Sequence, residues 1–135
     1  MSAETILVVE PDILVRHPLA QYLRECGYKV LEALDTDEAV EVLTQGSIDV
    51  DIVLADVASP GKIDGFGLAK WIRTQGYATR TILAGSIQKA ASEAADLCEN
   101  GPLLEKPYHH TLLVDRIHHT LALRNSTAAR KRPKR

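Results

Sequence analysis

The chain has 135 residues, 45% of them apolar and 25% charged, with a formal net charge of −2. A chain of this size forms one domain and buries about two thirds of its unfolded surface, so two domains are excluded and no disulfide or structural metal is needed for a core. Six of the sixteen basic residues fall between Arg124 and Arg135, a stretch with no acid, so residues 1–123 carry a formal charge of −8, which argues against nucleic-acid binding by that part.

Five short runs rich in Val, Ile and Leu alternate with five segments of helical spacing. In chain order the pattern predicts strands over 5–9, 28–32, 50–55, 80–84 and 102–105, and helices over 13–25, 37–44, 66–74, 88–98 and 108–123. The first, third and fourth strands are nearly continuous apolar runs, which is typical of central strands buried on both faces. The alternation predicts a doubly wound (βα)5 α/β domain over residues 1–123, with a five-stranded parallel sheet.

The C-terminal residues 124–135, RNSTAARKRPKR, combine dense positive charge with a proline and with alanine as the only apolar residue type. Such a segment gains too little from burial to become ordered, so we expect a disordered basic tail. Two alternatives are non-specific binding of this tail to nucleic acid or an anionic membrane, and a solvated extension of the last helix.

Neither the cysteines nor the N-terminus indicates export from the cytoplasm. Cys26 and Cys98 have no ligand-like or paired spacing, which favours a reducing compartment. The N-terminus lacks a basic signal region, and no apolar run approaches the ~18 residues that span a bilayer. We therefore expect a cytoplasmic protein.

Charged side chains follow three of the predicted strands. Glu10 and Asp12 follow the first strand, Asp56 follows the third, and Lys106 follows the fifth. Because parallel strands end at one edge of a sheet, these residues are expected to converge into a pocket suited to Mg²⁺ and a phosphoryl group. Asp56 fits a carboxylate nucleophile; the alternative is that it only caps a loop.

Three ordered motifs carry a resemblance to a known family. They are ILVVEPD at 6–12, DIVLADVASP at 51–60 followed by Asp64 and Gly65, and EKPY at 105–108. With these motifs the chain resembles the receiver domain of two-component response regulators over about residues 4–123. The resemblance, and not the periodicity, implies the flavodoxin-like strand order 2-1-3-4-5.

The resemblance also implies a chemistry. Asp56 would accept a phosphoryl group from the phosphohistidine of a sensor histidine kinase, and Lys106 would contact the acyl phosphate. Mg²⁺ would be held by Glu10, Asp12, Asp56 and the main-chain carbonyl of Ala58. The bond between Lys106 and the following proline is expected to be cis, as in that family.

The acidic turn departs from the family pattern. Pro11 stands where the family usually has a second acid that ligates the metal directly. Glu10 must then reach the ion, Asp12 must swing in from one position later, or a water must substitute. Since Mg²⁺ demands near-octahedral geometry, we expect weak metal binding.

The switch residues depart as well. The spacing from Lys106 places the family's hydroxyl at Ala84, and Ser86 could replace it only if the loop is shifted. The aromatic switch position is Leu103, so we expect the usual coupling of phosphate to the face made by helix four, strand five and helix five to differ or to be absent. Tyr108 is expected to anchor the last helix rather than to act as the switch.

Two functions follow from these residues. The first is a single-domain response regulator that accepts phosphate at Asp56 and signals through protein–protein interaction or phosphorelay. Its partners would be a sensor histidine kinase or phosphotransfer protein and a downstream protein target, with homodimerisation open. The alternative is a receiver-like interaction module whose switch no longer depends on phosphorylation. No Gly-rich phosphate loop, nucleophile elbow or dinucleotide fingerprint indicates a metabolic enzyme, so any catalysis would be limited to its own phosphorylation and dephosphorylation.

Overall fold

The structure, a computed structural model, describes residues 3–85 and 104–131, and for Glu105 and residues 124–131 it describes the backbone alone. The strands are β1 (Thr5–Val9), β2 (Lys29–Ala33), β3 (Ile52–Asp56), β4 (Arg80–Gly85) and β5 (Leu104–Glu105). The helices are α1 (Ile13–Glu25), α2 (Thr36–Gln45), α3 (Gly65–Thr74) and α4 (His110–Lys131).

The strands form one parallel sheet in the order β2-β1-β3-β4-β5. The parallel α/β architecture and the central positions of the first, third and fourth strands are therefore confirmed. The helix predicted over 88–98 lies outside the described residues, so the complete five-fold repeat of strand and helix stays a prediction.

Two apolar layers cover the two faces of the sheet. Alternate residues of β1 point to opposite layers, with Ile6 and Val8 on one face and Leu7 and Val9 on the other. The first layer is completed by α1 and α4, and the second by α2 and α3. All five β1 residues are buried, which explains why the run shows no alternation of apolar and polar residues.

The boundaries of α2 differ slightly from the prediction because the chain uses a side-chain cap. The carboxylate of Asp35 accepts a hydrogen bond from the backbone N–H of Glu38 at 2.8 Å. This cap starts the helix at Thr36, one residue before the predicted start. Thr36 is thereby placed at the carboxyl edge of the sheet, beside the segment that follows β3.

The last helix is longer than predicted. It continues to Lys131, eight residues beyond the predicted end at 123. The helical backbone over 124–131 matches the alternative of an extension of the last helix. Residues 132–135 lie outside the described part, and the domain boundary at 123 stays a prediction. Extending an existing helix needs no new nucleation, and Ala, Arg and Lys favour helix strongly enough to continue it.

Within 3–85 and 104–131, no helix is long and apolar enough to cross a bilayer.

Candidate functional site

The residues that follow three strands meet at the carboxyl edge of the sheet. Glu10 directly follows β1, Asp56 is the last residue of β3, and Lys106 directly follows β5. The Lys106 ammonium donates hydrogen bonds to Asp56 Oδ2 at 2.6 Å and to Glu10 Oε1. The structure thus brings together three of the charged residues predicted from the sequence, with one cation shared by two carboxylates.

Glu10 is a buried carboxylate held at almost every polar atom. It is 3% exposed. Its N–H donates to Ala33 O at 3.0 Å, and its carbonyl accepts from Arg16 Nη1 at 2.9 Å. Its Oε2 accepts from the backbone N–H of Asp12 at 3.1 Å. These hydrogen bonds therefore fix the orientation of the Glu10 side chain.

Asp12 takes part in a helix cap, a contact that its position in the motif did not indicate. Its Oδ1 accepts from the N–H of Leu14 at 2.9 Å, which caps the N-terminus of α1. Among the described residues, no group of three or more His, Cys, Asp or Glu side chains is arranged to hold a metal ion. Glu10 and Asp56 converge, whereas one oxygen of Asp12 is committed to the helix.

Asp56 is oriented by the chain that follows it. Its Oδ1 accepts from the N–H of Ala58 at 2.7 Å. Its carbonyl accepts from Ser59 twice, from the N–H at 3.1 Å and from the hydroxyl at 2.7 Å. The Asp56 side chain keeps 15% of its surface exposed, so an external group can reach it.

Lys106 stays charged and well oriented. Partial burial lowers its pKa, but the hydrogen bonds to Asp56 and Glu10 raise it by more, so the net pKa is above the ordinary value. The bond between Lys106 and Pro107 is cis, as predicted. The ammonium also lies 5.8 Å from the centre of the Tyr108 ring, a cation–π distance.

Tyr108 packs against the apolar layer formed by α1 and α4, in agreement with its predicted anchoring role. Burial is the main reason that its pKa is raised, and the carboxylates of Glu10 and Asp56 add to the effect. Its contact with Lys106 was missed in the sequence, although its position two residues after the lysine is a usable signal.

Ala84 lies beside the acceptor candidate. It pairs with Asp56 in the register of β3 and β4, it is fully buried, and its carbonyl accepts from the N–H of Val57 at 2.8 Å. A methyl group therefore occupies the strand position for which the family pattern predicts a hydroxyl. Ser86 and Leu103 lie outside the described residues, so their predicted roles stay predictions.

A second charged cluster supports the acidic turn and was not predicted. Arg16 Nε contacts Glu32 Oε1 at 3.2 Å while its Nη1 holds the carbonyl of Glu10. His17 and Arg24 also bind Glu32, at 3.2 and 3.3 Å. Partial burial raises the pKa of Glu32, but the hydrogen bonds from His17, Arg16 and Arg24 lower it by more, so the net pKa is below the ordinary value.

Comparison with known proteins decides the family. The model of the response regulator receiver domain matches residues 6–118. The chain belongs to this family.

Known proteins match this chain in sequence or in fold. A cyclic di-GMP phosphodiesterase of Thermotoga maritima is 31% identical over 127 residues, covering 90% of this chain and 31% of that protein. The receiver domain of an HD domain-containing protein from Pseudomonas fluorescens superposes with a TM-score of 0.82 at 25% identity, covering 96% of this chain and 95% of that one. The response regulator TrrA of Thermotoga maritima, solved with Mg²⁺ and BeF, gives a TM-score of 0.76 at 25% identity and covers 87% and 99%. The chain thus spans about a third of the curated relatives it matches first.

Proposed function

We propose that this receiver domain accepts a phosphoryl group on Asp56 and passes the signal on through a protein partner. One observation carries the proposal: a partly exposed carboxylate at the end of β3 binds the ammonium of Lys106 at 2.6 Å. Phosphoryl transfer needs chiefly positioning and charge neutralisation, and this pair provides both.

The step is a displacement at phosphorus. A carboxylate oxygen of Asp56 attacks, the bond between phosphorus and the donor's imidazole nitrogen breaks, and its electron pair stays on that nitrogen. The new bond is an acyl phosphate. The N–H of Ala58 and the ammonium of Lys106 fix the carboxylate before the attack. We propose that Lys106 then neutralises the phosphoryl oxygens.

The donor atoms present suit Mg²⁺. Glu10 and Asp56 each place a carboxylate oxygen within reach of the same ammonium nitrogen, so two hard oxygen donors converge on one cation. We propose that these two residues, the carbonyl of Ala58 and Asp12 hold the ion. Mg²⁺ bound there would supply positive charge against the phosphoryl oxygens. The Mg²⁺ complex of TrrA supports this assignment.

Metal affinity should be weak, because Pro11 offers no side-chain oxygen and Asp12 caps α1 with Oδ1. Asp12→Asn separates the two roles, since asparagine caps helices as well as aspartate but carries no charge. If Asp12 ligates Mg²⁺, titration followed by Trp71 fluorescence or NMR shifts shows weaker binding in Asp12→Asn at unchanged stability. Unchanged affinity would remove Asp12 from the ligand set.

Phosphate-affinity electrophoresis after incubation with acetyl phosphate and Mg²⁺ tests the acceptor. We expect a retarded band in the wild type and in Asp115→Asn, a control at an exposed position of α4. The band should be lost in Asp56→Asn. A wild type without a retarded band, or a band that survives Asp56→Asn, contradicts the proposal.

The remaining parts of the proposal concern the domain and its partners. We propose a complete (βα)5 receiver domain over residues 1–123, with the acceptor pocket at its carboxyl edge. The phosphoryl donor would be a sensor histidine kinase or phosphotransfer protein in the cytoplasm, and the output a protein target or a homodimer. Catalysis by this domain would be limited to its own phosphorylation and dephosphorylation.

A further inference from the structure

A buried hydroxyl on α2 holds the segment that follows the acceptor candidate. Thr36, the first residue of α2, is fully buried. Its hydroxyl oxygen lies 2.6 Å from Ile63 O and 3.1 Å from Pro60 O, and its backbone N–H donates to Pro60 O at 3.0 Å. Since a hydroxyl has one proton and Ile63 O is the nearer acceptor, the hydroxyl donates chiefly to Ile63 O.

The two segments are packed backbone against side chain. Gly61 has a φ of +131°, and a Cβ built on it would lie 2.1 Å from Thr36 Oγ1. Next to it, the N–H of Lys62 donates to the carboxylate of Asp37 at 3.2 Å. Glycine at position 61 therefore permits the close approach, and the whole stretch from Pro60 to Ile63 lies on the first turn of α2.

Residues 57–64, here termed the acceptor loop, are held at four places. At the start, the N–H of Val57 donates to the carbonyl of Ala84 in β4, and Ala58 and Ser59 bind Asp56. At the end, the N–H of Gly65 donates to the carbonyl of Val57 at 3.1 Å. In the middle, the first turn of α2 binds residues 60–63. Elements distant in sequence therefore hold the loop at Val57, through β4, and over residues 60–63, through α2.

Resting on the proposed role of Asp56, we propose that Thr36 is a positioning residue for phosphoryl transfer. It touches none of the reacting atoms. Its N–H binds the carbonyl of Pro60 and its hydroxyl binds the carbonyl of Ile63. Together they restrict the segment that begins two residues after Ala58, and therefore the backbone of Ala58 itself. The Ala58 N–H aims the Asp56 carboxylate, and the Ala58 carbonyl is the proposed metal donor.

The inference is tested with three variants of the full chain. Thr36→Val keeps the shape and removes the hydroxyl, and Thr36→Ser keeps the hydroxyl. The control Thr120→Val removes the hydroxyl of a buried α4 residue that is 7% exposed. The first readout is the rate of phosphorylation by acetyl phosphate with Mg²⁺, at a temperature where every variant is folded. The second is amide hydrogen exchange of Ala58 and Lys62 by NMR, without metal or phosphate.

We expect Thr36→Val to slow phosphorylation about tenfold and to speed exchange at Ala58 about three- to tenfold, as for one lost hydrogen bond. Thr36→Ser should restore both to near the wild-type values, and Thr120→Val should leave both unchanged. Equal effects of Thr36→Val and Thr120→Val, or unchanged exchange at Ala58, would overturn the inference.

Two provisions keep the test decisive. If Thr36→Val does not fold, Thr36→Ala removes the same hydroxyl without the branched side chain, and unchanged exchange at Ala58 in that variant overturns the inference. If the wild type takes up no phosphate, the proposed function fails, while the exchange rates still decide whether α2 holds the acceptor loop.

Discussion

Removing the shared cation tests the electrostatics of the site. In Lys106→Met the two carboxylates of Glu10 and Asp56 lose their common partner, while the apolar part of the side chain is kept. Glu10 is the more sensitive of the two, because its side chain is 4% exposed against 15% for Asp56. A buried carboxylate without a cation is costly, since water cannot replace the lost partner.

The expected size follows from burial. Breaking a fully buried ion pair by removing one partner costs about 3–5 kcal/mol. The Lys106 side chain is 21% exposed, so solvent screens part of the interaction and we expect a loss of about 2–3 kcal/mol. With a urea dependence of about 1–3 kcal/mol per molar, the unfolding midpoint should fall by about 0.7–3 M.

Urea unfolding followed by Trp71 fluorescence measures this loss at neutral pH and without Mg²⁺. Lys70→Met, at an exposed position of α3, is the matched control and should change the unfolding free energy by less than about 0.5 kcal/mol. Glu10→Gln should recover part of the loss in the Lys106→Met background. An unchanged midpoint in Lys106→Met, or a Glu10→Gln that destabilises both backgrounds equally, would refute the assigned coupling.

Three further predictions concern stability, each read from urea unfolding. Because the pKa of Glu32 is lowered, its ion pairs stabilise the fold above about pH 4.5, and this stability is lost as pH falls through the lowered pKa. Glu32→Gln should therefore destabilise the fold more at pH 7 than at pH 3. An equal effect at both pH values contradicts this. Gly61→Ala should destabilise more than Gly76→Ala, because both have positive φ but only Gly61 has a neighbour that a Cβ would strike; equal costs would argue against the tight packing. Leu113→Ala should lower the unfolding free energy by about 2–5 kcal/mol because Leu113 is fully buried, whereas Leu112→Ala, at 58% exposure, should lower it by less than about 0.5 kcal/mol. Similar losses in the two variants would contradict the orientation of α4 described above.

The sequence could predict the central strands and the charged edge because both depend on short-range patterns. Residues 5–9 and 52–55 are buried on both faces, so each appears as an uninterrupted apolar run. Glu10, Asp56 and Lys106 each follow such a run directly or within two residues. Parallel strands end at one edge, so these three residues had to meet without any knowledge of their individual contacts.

The contacts that position these residues could not be predicted in the same way. Arg16 reaches the carbonyl of Glu10 and the side chain of Glu32, and Thr36 reaches carbonyls 24 and 27 positions later. Such pairs depend on the register between elements distant in sequence. A single sequence contains no periodic signal for that register.

The end of the last helix could not be predicted for a different reason. Charge density and a proline at 133 favoured disorder for the whole tail, but a helix already anchored by Leu113 and Ile117 in the core continues at little cost. Composition describes an isolated segment, whereas residues 124–131 are covalently joined to a helix that is already formed.

The placement of Ala84 has a consequence for how a signal could leave the site. The methyl group of Ala84 cannot form a hydrogen bond to a phosphate on Asp56, so the side chain at this position of β4 offers no polar connection. The polar contact of Ala84 is made by its carbonyl, which accepts from the N–H of Val57 at 2.8 Å. The hydrogen bonds of the Asp56 side chain and carbonyl run instead to Lys106 and to Ala58 and Ser59 in the acceptor loop. From that loop they continue to the first turn of α2 through Thr36. A path of hydrogen bonds and short chain segments thus joins Asp56 to α2, which is on the face of the sheet opposite α1 and α4.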